Sequence, residues 1–127
     1  MLSRLQVRNY VLIDSLEIDF PEGLIIITGQ TGAGKSILLG ALSLLMGSKA
    51  DSSVVSEGAD NCVVEAEFST ADMTVKAVLD ENDVEWEDGQ LLVRRVVNRS
   101  GRSRAFVNDC PVSVSVLQEI ASRLVDI

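Results

Sequence analysis

Several stretches of this chain alternate apolar and polar residues with the period of a half-buried strand. Leu2 to Asn9 does so from Leu5 onward, and Asp14 to Phe20 sets Leu16, Ile18 and Phe20 on one face. Cys62 to Phe68 alternates too. Gln90 to Val97 and Arg102 to Val107 flank the turn Asn98-Arg99-Ser100-Gly101 and read as a hairpin, with a second turn at Asn108-Asp109. Leu24 to Thr28 follows the turn Pro21-Glu22-Gly23 and is apolar without alternation, the pattern of a strand covered on both faces. Helical spacing takes over elsewhere. Ser36 to Met46 is apolar almost all round, which predicts a helix buried on most sides and closed by Gly47. Such a helix needs cover, from the second half of the chain or from a partner. Ala71 to Asn82 carries a narrower stripe of Val75, Val78 and Leu79. Ser113 or Ser115 caps a third helix running to about Ser122, with Gln118 three residues after Ser115. Leu124 to Ile127 reads as the start of a strand. Ser48 to Asn61, and the acidic stretch around Trp86, read as loops.

Between the strand at 24–28 and the first helix stands Gly29-Gln30-Thr31-Gly32-Ala33-Gly34-Lys35-Ser36, which reads G-x-x-x-x-G-K-S. Strand, glycine loop, helix is the context in which that spacing binds phosphate. Amides at a helix N-terminus lack intrahelical acceptors and carry partial positive charge. A loop wrapped around a triphosphate aims several of them inward, and glycines keep side chains out of the way. Lys35 is the candidate bridge between β- and γ-phosphates. The Ser36 hydroxyl is the candidate Mg²⁺ ligand. The phosphate-binding set is therefore Gly29, Gln30, Thr31, Gly32, Ala33, Gly34, Lys35, Ser36 and Ile37, and the expected cofactors are ATP and Mg²⁺.

Composition narrows the partners. The formal charge is −8, split unevenly: 5 basic and 16 acidic residues up to position 90, then 6 basic and 3 acidic. The acidity argues against a broad DNA-binding surface on this piece. Arg94, Arg95, Arg99, Arg102 and Arg104 are expected to form a solvated hairpin face, with phosphates or an acidic partner as the alternative. Cys62 and Cys110 are too few for a zinc site and read as buried free thiols. There is no histidine. No apolar run approaches a membrane span and the first residues lack a signal peptide's core, so a cytoplasmic protein is expected.

Hydrolysis also needs an acid at the end of an apolar strand to hold Mg²⁺. Glu65 and Asp126 are the two candidates. Glu65 is expected mid-strand, facing solvent, and Asp126 has only Leu124 and Val125 before it. No N-K-x-D guanine-reading motif occurs, which weighs against a GTPase.

At this point a likeness emerges. The opening Leu5 to Asp14, the loop from Thr28 to Leu38, the segment Gly47 to Ser53 and the hairpin Gly101 to Asn108 resemble the N-terminal part of the RecN family, bacterial DNA double-strand-break repair ATPases related to SMC proteins. Gln30 departs from the family's usual Glu, at a position that contributes mainly backbone. The resemblance implies an α/β fold: the N-terminal lobe of a P-loop NTPase head of the ABC and SMC type. A mixed β-sheet would surround the P-loop helix, with an antiparallel β-hairpin subdomain. It implies that residues 1–127 are one lobe of a longer chain, completed by the C-terminal half of the same head. That half would supply the signature motif and the acidic Mg²⁺ strand, so this piece alone would not hydrolyse ATP. A second head would close a homodimer over ATP, DNA would be the partner of the full protein, and the location would be cytoplasmic and nucleoid-associated. Arg8 and Asn9 would lie on the base or ribose side. Another SMC- or RecF-like head, a self-contained small P-loop kinase or nucleotidase, and an interaction module whose P-loop is purely structural are the competing readings.

Overall fold

The alternating stretches assemble into one antiparallel sheet. The structure, a computed structural model, describes residues 2–20, 32–70, 72–86 and 89–124, with the backbone alone at 32–36. Its strands are β1 (Leu2–Tyr10), β2 (Ile13–Asp19), β3 (Asn61–Ser69), β4 (Gln90–Asn98), β5 (Ser103–Val107) and β6 (Cys110–Val112). They lie in the order β2-β1-β3-β4-β5-β6. The strand expected at 24–28 and the turn before it fall outside the described residues.

Register follows from the period of two, because opposite residues in an antiparallel pair share a face. One row crosses the sheet as Leu16, Val7, Val64, Arg95, Ala105 and Val112. Val7, Val64 and Ala105 in it are buried. The next row, on the opposite face, is Glu17, Gln6, Glu65, Arg94, Phe106 and Pro111. There Arg94 donates to Glu65 at 2.8 Å and to Asp109 at 3.0 Å, and its guanidinium lies 5.7 Å from the Phe106 ring centroid. Being partly solvated, each of these pairs contributes less than about 1 kcal/mol. Sequence did not predict β6; its three residues include Pro111, which demotes a strand by pattern alone.

The helices α1 (Gly32–Leu45), α2 (Met73–Glu81) and α3 (Val114–Leu124) bury their apolar sides in the core formed on the sheet's inner face. Asp72 caps α2 by accepting the Thr74 N–H at 2.8 Å, and Val75, Val78 and Leu79 are the buried stripe, as the spacing predicted. Ser113, not Ser115, caps α3: its oxygen accepts from the Val116 N–H at 3.4 Å. Gln118 is consequently free of any capping box and donates to the Gly47 carbonyl at 3.0 Å instead. Leu124 belongs to α3 rather than to a strand. It extends the helical stripe of Val116, Leu117, Ile120 and Ala121, and burial of that stripe holds it in the last turn.

The two cysteines differ. Cys62 is buried and Cys110 only partly so, which corrects the expectation that both are inaccessible. Desolvation pushes the Cys62 thiol from its usual 9.0 up to about 11. Because the raised value favours the thiol in the folded protein, this contribution to stability is present below pH 9 and fades as pH rises toward 11. We expect a thiol-disulfide reagent at about pH 8 to titrate Cys110 in the native protein and both thiols in urea. Rapid native labelling of Cys62 would contradict its placement.

Candidate nucleotide-binding site

The P-loop motif meets the described structure at Gly32, where α1 begins. Residues 29–31 lie outside it, and of 32–36 only the helical backbone is described. The opening amides of Gly32, Ala33 and Gly34 are those a helix leaves without intrahelical acceptors. No acidic residue stands in the first turn to compete for them. That donor set fits the phosphates of a nucleotide and contains nothing that would repel them.

Packing fixes where this helix points. Leu38, Ala41, Leu44 and Leu45 are buried against the sheet, while Leu39 and Met46 on the other side remain exposed. A Cβ at Gly40, in the middle of α1, would displace the Tyr10 hydroxyl, so the glycine lets the Tyr10 side chain at the end of β1 pack directly on the helix. At the far end, Gly47 adopts φ +94. The Ser48 N–H returns to the Ser43 carbonyl at 3.0 Å and the Gly47 N–H to Leu44 at 3.2 Å. These are the two bonds of a Schellman cap, as the glycine predicted.

The segment that follows is tied back in turn. The Val11 N–H donates to the Val54 carbonyl at 2.8 Å and the Ser56 N–H to the Asn9 carbonyl at 2.9 Å. The Ser56 hydroxyl donates to the Val11 carbonyl at 2.7 Å. Val11, a β-branched residue at φ +51, is held in that uncommon conformation by these straps.

The remaining site candidates are distributed as follows. Asn9, at φ +54, is the penultimate residue of β1, next to Tyr10, whose hydroxyl reaches Gly40 of α1. Arg8 is exposed, on the face of the sheet opposite α1, beside Ser15 and Val63. Glu65 also lies on that outer face and is bound to Arg94, so it is not at the helix and cannot serve there as a Mg²⁺ acid. Asp126 falls outside the described residues. The arginines do not form one solvated face. Arg99, Arg102 and Arg104 are exposed, Arg94 is half-buried and ion-paired, and Arg95 is 2% exposed. Sequence reasoning missed Arg95, although it occupies the same strand phase as Leu91, Val93 and Val97.

Residues 4–124 match the AAA domain family. The chain belongs to this family. Over its whole length it is 39% identical to DNA repair protein RecN of Xylella fastidiosa (strain Temecula1) and 38% identical to RecN of Haemophilus influenzae. It spans 23% of the length of each of these curated relatives. Among solved structures, one from a study of ATP-driven dimerization and DNA-stimulated activation of SMC ATPases superimposes with a TM-score of 0.71 at 19% identity, over 95% of this chain and 77% of that one. The recombination mediator protein RecF, as RecF-ATPrS, superimposes with a TM-score of 0.70 at 22% identity, over 92% of this chain and 29% of that one. The fold is accordingly that of P-loop ATPase heads. Among the described residues no helix is long and apolar enough to cross a membrane.

Proposed function

We propose that residues 1–127 are the ATP-binding lobe of a RecN-like ATPase acting in DNA double-strand-break repair. The observation that carries this reading is the G-x-x-x-x-G-K-S sequence running into the N-terminus of α1, in a chain similar to RecN throughout. Backbone amides of Gly29–Gly34 hold the phosphates, Lys35 neutralises the β- and γ-oxygens, and Ser36 ligates Mg²⁺. Asn9 is the candidate for the base or ribose side, whereas Arg8, on the sheet face away from α1, could reach a nucleotide only around the end of β1. The Mg²⁺-binding acid and the signature motif come from the remainder of the head and from a second head, which together close over ATP and engage DNA in the cytoplasm.

Isothermal titration of the 127-residue chain with Mg-ATP tests the reading, alongside a phosphate-release assay. Stoichiometric binding with negligible turnover is expected. A folded chain that ignores Mg-ATP overturns the nucleotide site. Robust hydrolysis by the chain alone would support a self-contained P-loop enzyme instead.

A further inference from the structure

Among the described residues, Arg95 is the single buried charged side chain, and no carboxylate pairs with it. It sits on the inner face of β4 between Val93 and Val97, where an apolar residue would satisfy the strand pattern. Removing an unpaired cation from water is costly, so its surroundings must supply compensation. Burial draws its pKa down, yet a guanidinium stays charged in a protein. The compensation is visible in its bonds. Nε donates to the Ser103 hydroxyl at 2.6 Å, and Nη1 donates to the carbonyls of Leu44 at 2.8 Å and Ser48 at 2.7 Å. Leu44 is in the last turn of α1, where carbonyls lack intrahelical donors and the helix presents its negative end. The carbonyls around the Schellman turn thus stand in for a counter-ion. Gln118 of α3 adds its bond to Gly47 at the same place.

We propose that Arg95 is a positioning residue for the phosphate-binding helix, clamping the C-terminal end of α1 to the β4–β5 hairpin and so setting where its first turn presents the P-loop amides. The inference rests on the nucleotide reading of that turn. A 14-residue helix is a hydrogen-bonded rod ~21 Å long. A few degrees of tilt at the clamp moves the opposite end by about an ångström, enough to spoil oriented contacts. The same bonds tie α1, at the end away from the P-loop, to the hairpin that carries Arg99, Arg102 and Arg104.

The test compares Arg95→Met, Arg95→Lys and Ser103→Ala in the 127-residue chain. Amide hydrogen exchange is read without nucleotide, and Mg-ATP affinity is read by titration well below each variant's Tm. In Arg95→Met, exchange at residues 36–40 should accelerate about tenfold while α2 is unchanged, and Mg-ATP should bind about tenfold more weakly. Arg95→Lys, which keeps a cation for the two carbonyls, should recover most of both. A merely structural role would accelerate α2 as much as α1, and that result overturns the proposal. So does wild-type affinity in folded Arg95→Met. Should Arg95→Met fail to fold, Ser103→Ala decides: faster exchange confined to 36–40 with weaker binding supports the clamp, and unchanged values refute it. Selective acceleration in a chain whose wild type does not bind Mg-ATP would leave the clamp standing and remove the nucleotide reading.

Discussion

Lys35→Ala should weaken Mg-ATP binding about 10- to 100-fold, the equivalent of losing one charge-assisted bond of ~1.5–3 kcal/mol. Lys35 is the lysine of G-x-x-x-x-G-K-S and lies in the opening turn of α1, two residues before the partly buried Ile37 and three before the buried Leu38. In the function proposed above its charge acts at the phosphates, while Leu38, Ala41, Leu44 and Leu45 supply the packing that orients the helix. The variant should therefore melt within about 0.5 kcal/mol of the wild type, as surface substitutions do. Adenosine, which has no phosphate, should not distinguish the two proteins. Titration with ATP, ADP and adenosine, each checked against a urea curve, measures all of this. A folded Lys35→Ala protein with normal ATP affinity would count decisively against the site.

Much of this organisation was legible in the sequence, and the exceptions have physical causes. The strands with clean alternation appeared at the expected places within a residue or two, because inner-face burial at Leu5, Val7, Val64, Ala66, Val93 and Val107 fixes the register. The turns were equally readable. Asn108 and Asp109 both take positive φ, at 50 and 64, in a two-residue hairpin that favours Asn and Asp. Arg95 was misread because residue type was weighed over phase. An arginine among five suggests a solvated face, but in Leu91-Leu92-Val93-Arg94-Arg95-Val96-Val97 the period of two already separates Arg94 from Arg95. Arg94 faces outward with Glu65; Arg95 shares the inner face with Leu91, Val93 and Val97. What alternation could not reveal is the partner, since Leu44 and Ser48 are 51 and 47 residues away and offer backbone carbonyls that leave no trace in the sequence. Glu65 shows the same lesson in reverse. Its mid-strand position was readable, and the face it occupies, opposite α1, is what removes it from the Mg²⁺ chemistry.

Gly47→Val should destabilise the chain by about 2–4 kcal/mol, a large share of the ~5–15 kcal/mol typical of a domain. Two costs combine at this residue. Its φ of +94 is a conformation in which a β-branched side chain meets the following carbonyl, worth about 1–2 kcal/mol. Its surroundings are also closed. A Cβ would run into the Gln118 side chain and stand 3.2 Å from the Gln118 nitrogen and the Val114 carbonyl. Those last two atoms are backbone of α3, which cannot swing aside as a side chain could, so overpacking adds about 1–3 kcal/mol. Gly101 provides the control. It has a similar φ of +89, but no atom lies within 4 Å of where a Cβ would stand. Gly101→Val should therefore suffer the backbone cost alone, about 1–2 kcal/mol. Urea midpoints of the two variants, at unchanged m-value, separate the contributions. Equal losses at both glycines would mean that α3 does not press on the end of the phosphate-binding helix. A larger loss at Gly47 would place the Schellman turn, Gln118 and the first turn of α3 in the contact that fixes that end.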